Sequence, residues 1–184
     1  MRRLVMIGVV AVLILVAGTV KADLTVLDFD DLLVSDYLPS NYAGLNWDPE
    51  WKSLSGYMWP YTPSSDPTVI YTWNYGGWID FSPLGVPVTF EGAYFSGGPW
   101  AAMHFEGYKG GSLVGISGTL IPSEVPTFLP ANFPGPVDYV QVVDAYYNYF
   151  AMDDVTYKPV PVPGAILLGI LGLSVAGLKL RKSA

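Results

Sequence analysis

The chain of 184 residues contains no cysteine and a single histidine, His104. Without cysteine it can form neither a disulfide framework nor a thiol nucleophile, so a domain of this size must depend on its hydrophobic core or on a metal. P-loop, Rossmann, HExxH and G-x-S-x-G motifs are also missing from the sequence. These absences argue against an enzyme. A polysaccharide hydrolase stays the least favoured alternative, since its two carboxylates could be distant in sequence.

Positive charge is scarce away from the two ends of the chain. Residues 23–158 contain all 16 acidic residues, against Lys52, Lys109 and Lys158. Such a surface repels nucleic acid and anionic lipid, and it attracts divalent cations. We therefore expect no nucleic-acid partner.

His104 and Glu106 lie two residues apart on a predicted strand, so they should share one face. This spacing would suit a proton relay or half of a metal site. The simpler interpretation is a solvated outward face.

The N-terminus has the pattern of a secretory signal peptide. Arg2 and Arg3 precede an apolar run over residues 4–16, and Val20-Lys21-Ala22 places small residues at the −3 and −1 positions of a cleavage site. The sequence thus predicts a signal peptide over residues 1–22 and export of the remaining chain.

The C-terminus predicts a short membrane-spanning helix with a basic tail over residues 164–184. Lys179 is the single charged residue between positions 164 and 180. A helix of this length spans about 25 Å, near the lower limit for crossing a bilayer. Lys179 lies close enough to the end to reach the interface, and Arg181 and Lys182 favour the cytoplasmic side. Alternating prolines over residues 159–163 predict an extended spacer.

The order of a proline motif (Pro161, Pro163 and Gly164), a short Leu- and Gly-rich helix and a basic end resembles the PEP-CTERM sorting tail. That resemblance implies recognition by an exosortase-type membrane protease, with transient anchoring in the inner membrane. It further implies removal of the helix during transfer to the outer surface or extracellular matrix. A plain C-terminal anchor is the alternative.

The central part, residues 23–158, has the pattern of an all-β domain. Glycine and proline, 20 and 16 in the chain, recur in almost every ten residues and disfavour long helices. Apolar and polar residues alternate over residues 86–94 and 114–120, which predicts strands with one buried face, as in antiparallel sandwiches.

Three short motifs at residues 29–32, 42–47 and 150–157 are similar to the galactose-binding-like, or jelly-roll lectin, type of sandwich. This resemblance implies an antiparallel jelly-roll β-sandwich over residues 23–158. Family members include many carbohydrate-binding modules, often with a structural calcium ion.

Aromatic residues are concentrated between Tyr42 and Trp78, where five of the six tryptophans lie. A flat ring can stack on the C–H face of a sugar, but each ring can equally well bury its large apolar area in the core. The candidate carbohydrate-binding residues are Trp47, Trp51, Trp59, Tyr61, Trp73 and Tyr75.

Two acidic pairs, Asp30-Asp31 and Asp153-Asp154, mark the two ends of the domain. In a jelly roll the first and last strands often lie side by side, and four converging carboxylates would favour a shared Ca²⁺. Alternation along a strand would place Asp153 on one face with residues 151, 155 and 157, and we pair it with Asp30. Alternatively, the acids are solvated or cap turns.

Together these patterns predict an exported, surface-sorted, non-catalytic protein of the bacterial envelope or extracellular polysaccharide matrix that interacts with glycans. A purely structural surface or adhesion protein without a ligand site is the alternative.

Overall fold

A computed structural model describes residues 23–32, 36–72, 76–145 and 150–160. The predicted signal peptide, membrane helix and sorting motif (Pro161, Pro163 and Gly164) lie outside these residues, as do Trp73 and Tyr75, and all remain predictions. Within the described part, no helix is long and apolar enough to span a bilayer.

The described residues form eleven strands and two short 3-10 turns at Tyr42–Gly44 and Ser82–Leu84. The strands are β1 (Thr25–Leu27), β2 (Asn46–Trp47), β3 (Trp51–Ser55), β4 (Thr68–Thr72), β5 (Gly76–Asp80), β6 (Val88–Gly97), β7 (Met103–Lys109), β8 (Ser112–Ile116), β9 (Thr127–Pro130), β10 (Tyr139–Asp144) and β11 (Phe150–Pro159).

The strands form two antiparallel sheets. The six-stranded sheet has the order β3-β4-β11-β6-β9, with β1 also paired to β11. The five-stranded sheet has the order β2-β5-β10-β7-β8. This arrangement confirms the predicted all-β antiparallel sandwich. The finer assignment to the jelly-roll class stays a prediction.

One core lies between the two sheets because alternate residues of each strand face inward. In β7, Met103 and Phe105 are fully buried, whereas His104 and Glu106 are partly exposed. Phe105 contacts two rings of the six-stranded sheet, with centroids 5.0 Å from Phe90 and 5.5 Å from Phe95. The core draws on residues from Leu27 to Tyr157, and residues 23–160 form one compact unit, so this segment contains a complete core.

Trp51 fixes the contact between β3 and β5. Its side chain is fully buried, and its indole packs directly on Gly77 of β5, where an added Cβ would lie 2.5 Å from Nε1 of Trp51. The same Nε1 donates a hydrogen bond to the carbonyl oxygen of Trp78 at 3.3 Å. Gly77 is therefore required by the close approach of the ring.

The first and last strands lie side by side, as predicted: Thr25 pairs with Tyr157 and Leu27 with Val155. The prediction that residues 151, 153, 155 and 157 share one face is wrong. Asp154 has a φ of 48°, and the β6–β11 register shifts between Asp153 and Thr156. This bulge reverses the alternation, so that Val155 faces the core while Asp153 faces outward.

Both ends of the described domain lie at the same end of the sandwich. Val88 at the start of β6 pairs with Pro159, whereas Gly97 at the end of β6 pairs with Phe150. Since Thr25 pairs with Tyr157, the chain enters and leaves the sandwich near Pro159. We call this the proximal end, and the end at Gly97 the distal end.

Candidate functional site

The outer face of the five-stranded sheet carries a regular set of aromatic and polar side chains. In the register of its central strands, Tyr139 of β10 lies between Asp80 of β5 and Tyr108 of β7. One row away, Gln141 lies between Trp78 and Glu106. All six are partly exposed, while the residues between them face the core. We call this set the outer-face cluster: Trp78, Asp80, Glu106, Tyr108, Tyr139 and Gln141.

Three rings of the cluster form a continuous aromatic surface. Trp78 and Tyr139 are stacked, with centroids 5.9 Å apart and planes at 24°. Tyr108 meets Tyr139 edge to face, with centroids 5.8 Å apart. Because each ring is attached to a paired strand and contacts a neighbour, little conformational freedom would be lost when a ligand binds.

Hydrogen bonds within the cluster orient its polar groups. The hydroxyl of Tyr108 donates to Oε2 of Glu106, and the hydroxyl of Tyr139 donates to Oε1 of Gln141 at 3.0 Å. Nε2 of His104 lies 3.5 Å from Oε1 of Glu106. The predicted sharing of one outward face by His104 and Glu106 is therefore confirmed.

The ionisation states of the cluster follow from its surroundings. The hydrogen bond to Glu106 raises the pKa of Tyr108, and burial followed by the charge of Asp48 raises the pKa of Tyr139. Burial favours the neutral form of Asp80, but hydrogen bonds from Ser82 and Asn46 lower its pKa overall. At neutral pH the site thus combines two tyrosine hydroxyls with the Asp80 carboxylate.

A cleft of about 390 Å³ borders the cluster at Asp80, Ser82, Tyr108, Gly111 and Tyr139. This volume is within the range typical of small-ligand sites. Apolar ring faces beside hydroxyl, amide and carboxylate groups match the surface of a sugar, which has a C–H face and a hydroxyl edge.

Of the aromatic residues predicted to bind carbohydrate, some are buried in the structure and others are exposed. Trp47 and Trp51 are 1 % and 0 % exposed, so the prediction that they contact sugar is wrong. Trp47 packs edge-on against Phe29, and its Nε1 donates to the carbonyl oxygen of Tyr42. Both rings bury their apolar area in the core, which agrees with the alternative interpretation that these aromatic residues are core residues.

The other two described candidates lie apart from the outer-face cluster. Trp59 is 60 % exposed and lines a cleft at the distal end. Tyr61 is partly buried and stacks on Tyr71, with centroids 6.2 Å apart. Trp59 therefore offers an accessible ring, whereas Tyr61 packs against the outer face of the six-stranded sheet.

Asp153 anchors a loop. Its Oδ2 accepts hydrogen bonds from the backbone N–H groups of Ser64 and Ser65 at 2.8 and 2.9 Å, and its Oδ1 accepts from the N–H of Asp154 at 2.8 Å. Burial raises the pKa of Asp153 to about 7, although these N–H groups favour the charged form. The side chain thus holds residues 64–65 over the six-stranded sheet.

The remaining predicted calcium ligands have separate partners. Asp30 accepts from the N–H of Thr68, Asp31 from the hydroxyl of Tyr42, and Asp154 from the hydroxyl of Ser65. Among the described residues, no group of three or more His, Asp or Glu side chains could hold a metal ion. Calcium binding stays a prediction for which these residues offer no donor set.

Sequence reasoning missed most of the outer-face cluster. Tyr108, Tyr139 and Gln141 lie outside the segment rich in tryptophan, and two strands distant in sequence bring them together. The available signal was the alternation His104-x-Glu106-x-Tyr108 and Tyr139-x-Gln141, in which hydrogen-bonding and aromatic residues share the outward face of a strand.

Comparison with known proteins leaves the family open. No family model matches the chain, and no curated protein matches it. Among solved structures it is similar to a mutant family 29 carbohydrate-binding module in complex with mannohexaose. That similarity has a TM-score of 0.42 and 14 % identity, and it covers 76 % of this chain and 93 % of the other. At this level the likeness carries no argument about function.

Proposed function

We propose that this protein is a non-catalytic glycan-binding protein and that the outer-face cluster is its binding site. The observation that carries the proposal is the stacked pair Trp78 and Tyr139, flanked across the strands by the hydrogen-bonded side chains of Glu106 and Gln141. Ring faces supply apolar contact with a sugar, and the oriented polar groups supply hydrogen bonds to its hydroxyls.

The charge of the site favours a glycan without acidic groups. Asp80 and Glu106 lie in the cluster, and Asp48 lies near enough to influence the ionisation of Tyr139. One lysine, Lys109, follows Tyr108 directly in the sequence. It lines an adjoining cleft together with the acidic side chain of Asp138, so it adds no net positive charge there. Uronic acid polymers would therefore be repelled, so we expect a neutral polysaccharide as ligand.

The ends of the chain add a proposal about location. The signal-like residues 1–22 and the PEP-CTERM-like tail with Pro161, Pro163 and Gly164 support export and processing by an exosortase-type protease. We place the mature protein on the outer surface or in the extracellular polysaccharide matrix.

Affinity electrophoresis of residues 23–160 tests the binding site. Gels would contain hydroxyethylcellulose, galactomannan, xylan or alginate. We expect retardation by at least one neutral polymer and none by alginate. Tyr139→Ala should weaken the binding by about tenfold or more, equivalent to ~1.4 kcal/mol, because the ring supports both of its aromatic neighbours.

Tyr94→Ala is the matched control. Tyr94 is also a partly exposed tyrosine that meets another ring edge to face (Phe128, 5.2 Å), but it lies on the outer face of the opposite sheet. It should leave retardation unchanged. Equal effects of the two substitutions would contradict the site, and a parent domain that no polymer retards would contradict glycan binding itself.

A further inference from the structure

The distal end of the sandwich has a second cleft, separate from the outer-face cluster. It has a volume of about 350 Å³, and its lining includes Trp59, Pro99, Pro122, Ser123 and Glu124. It lies at the end of β6, next to Gly97, and β6 is a strand of the six-stranded sheet. It shares no residue with the outer-face cluster. We call it the distal cleft.

Trp59 is an exposed ring that the structure holds in place. Its side chain is 60 % exposed, and its Nε1 donates a hydrogen bond to Oε1 of Glu124, 65 residues further along the chain. The N–H of Tyr61 donates to the carbonyl oxygen of Met58 at 2.6 Å, which closes the turn that carries the ring. Without these contacts, an exposed indole would be free to change rotamer.

Backbone contacts fix the other walls of the distal cleft. The N–H of Gly97 donates to the carbonyl oxygen of Ser123 at 2.9 Å, and the N–H of Thr62 donates to Oγ of Ser96 at 2.9 Å. Three segments distant in sequence are therefore tied together around one opening. A preformed cleft of this kind needs little ordering when a ligand binds.

The chemistry of the lining favours an uncharged sugar ring. The indole of Trp59 and the ring of Pro99 supply apolar contact, and the Glu124 carboxylate supplies acceptors for hydroxyl groups. No basic side chain occurs among the described residues that line the cleft, so an anionic ligand would find no counter-charge. Like the outer-face cluster, the cleft thus combines a flat ring with an oriented carboxylate.

We propose that the distal cleft is a second glycan site and that one domain consequently cross-links two polysaccharide chains. The inference rests on the proposed glycan-binding function and extends it from binding to bridging. Two separate sites on one compact domain engage polymer with an avidity greater than either site alone provides. Both ends of the described domain lie at the proximal end, opposite the distal cleft.

Binding and cross-linking of one polymer by residues 23–160 test the proposal. The probe is the neutral polysaccharide that gives the strongest retardation among hydroxyethylcellulose, galactomannan and xylan. Light scattering of the polymer solution reports cross-linking, and affinity electrophoresis reports binding. We expect the parent domain to increase the scattering severalfold. Trp59→Ala and Trp78→Ala should each abolish that increase but keep partial retardation, and the double variant should lose both.

Two further variants separate the cleft from effects on folding. Glu124→Gln keeps an acceptor for Nε1 of Trp59 and should retain most of the cross-linking, whereas Glu124→Ala releases the ring and should lose it. Tyr37→Ala removes a ring of similar exposure (58 %) that lies beside Lys52 on β3, and it should have no effect. Circular dichroism would confirm that each variant is folded.

The outcomes distinguish this inference from the proposed function. If Trp78→Ala abolishes all binding and Trp59→Ala changes nothing, the outer-face site stands and the second site is overturned. If Trp59→Ala abolishes all binding while Trp78→Ala changes nothing, the distal cleft is the single glycan site, and both the outer-face site and cross-linking are overturned. If no neutral polymer binds the parent domain, both proposals fail.

Discussion

At the scale of single residues, two tryptophans that are joined by one hydrogen bond have opposite roles. The Trp51 indole fills the core and donates to the carbonyl oxygen of Trp78, while the ring of Trp78 faces outward and stacks on Tyr139. The bond uses the backbone of Trp78, so it survives the loss of that side chain. Burial in the core and the proposed ligand contact are therefore separable by substitution.

We expect Trp51→Ala to destabilise the domain by about 3–5 kcal/mol, because it leaves a large cavity in the core. Trp78→Ala should cost much less, since the ring is already partly exposed. Urea unfolding of both variants gives the comparison. Similar losses of stability in the two would show that Trp78 is a core residue rather than a binding residue.

Asp153 makes stability depend on pH. Burial raises its pKa to about 7 in the folded state, from an ordinary value of 3.8. The folded state therefore holds the proton more tightly, so this group contributes stability that is fully present below about pH 4 and is lost as the pH rises towards 7. The loss should be on the order of a few kcal/mol.

Urea unfolding of the parent domain and Asp153→Asn between about pH 4 and pH 8 measures this contribution. The free energy of unfolding of the parent should fall more steeply with pH than that of the variant, which cannot titrate at this position. A parent that instead gains stability relative to the variant over this range would show that the N–H groups of Ser64 and Ser65 outweigh burial.

At the scale of elements, the bulge in β11 determines which side chains reach the core. Asp154 adopts a left-handed conformation with φ of 48°, which lets Val155 and Tyr157 point inward after Asp153 has pointed outward. Asp tolerates this conformation better than most residues, and β-branched residues tolerate it poorly. The bulge thus depends on the residue at position 154.

Asp154→Val should destabilise the domain by about 1–2 kcal/mol because its branched side chain is strained at positive φ. Asp154→Gly should be close to neutral, since relief of backbone strain offsets the lost hydrogen bond from Ser65. Guanidinium unfolding midpoints give the comparison. If the Val variant is as stable as the parent, the left-handed conformation at this position is not what supports the bulge.

The same bulge shows how far elements could be predicted from the sequence. Alternation predicted β6 and the antiparallel class correctly, because burial of one face imposes a period of two. Over residues 114–120 the prediction of a buried face was wrong, since β8 ends at Ile116 and that side chain is 55 % exposed. Alternation also gave no warning of the bulge. It failed at Asp154, since one extra residue reverses the faces and leaves no trace in hydropathy. The prediction that the first and last strands, β1 and β11, are adjacent came from the resemblance to jelly-roll sandwiches. The pairing of Thr25 with Tyr157 confirms it.

The candidate site was harder to predict than the strands. Tyr139 meets both Trp78 and Tyr108, which are separated from it by 61 and 31 positions along the printed sequence. Such neighbours are fixed by strand order and register, which one sequence does not determine. The high density of aromatic residues identified the segment from Tyr42 to Trp78 as a candidate binding region. It could not show that Trp47 and Trp51 are buried, because their burial depends on the opposite sheet.

At the scale of the whole molecule, the two ends of the described domain lie opposite one of the two candidate sites. Both ends of the described domain lie at the proximal end, and the distal cleft lies at the other end. The outer-face cluster begins near the proximal end, because Tyr139 follows two residues after Val137, which pairs with Val88. The proposed PEP-CTERM-like tail follows Val160 in the sequence, at the proximal end.

Processing of that tail is tested on protein extracted from the surface of a host with a matching exosortase. We expect the mature chain to begin at Asp23 and to lack the residues beyond about Pro163, since the proline motif precedes the apolar segment. Mass spectrometry of the intact protein measures both ends. A surface-extracted chain that still ends in Ala184 would leave a simple membrane anchor.

The central claim, that the outer face of the five-stranded sheet binds neutral glycan, is tested most directly by nuclear magnetic resonance. Isotope-labelled residues 23–160 would be titrated with oligosaccharides of the retarding polymer, and perturbed signals would be mapped on the fold. We predict the largest shifts at Trp78, Glu106, Tyr108, Tyr139 and Gln141, with a second set at Trp59 and Glu124. Shifts that spare β5, β7 and β10 at saturating oligosaccharide would contradict the claim.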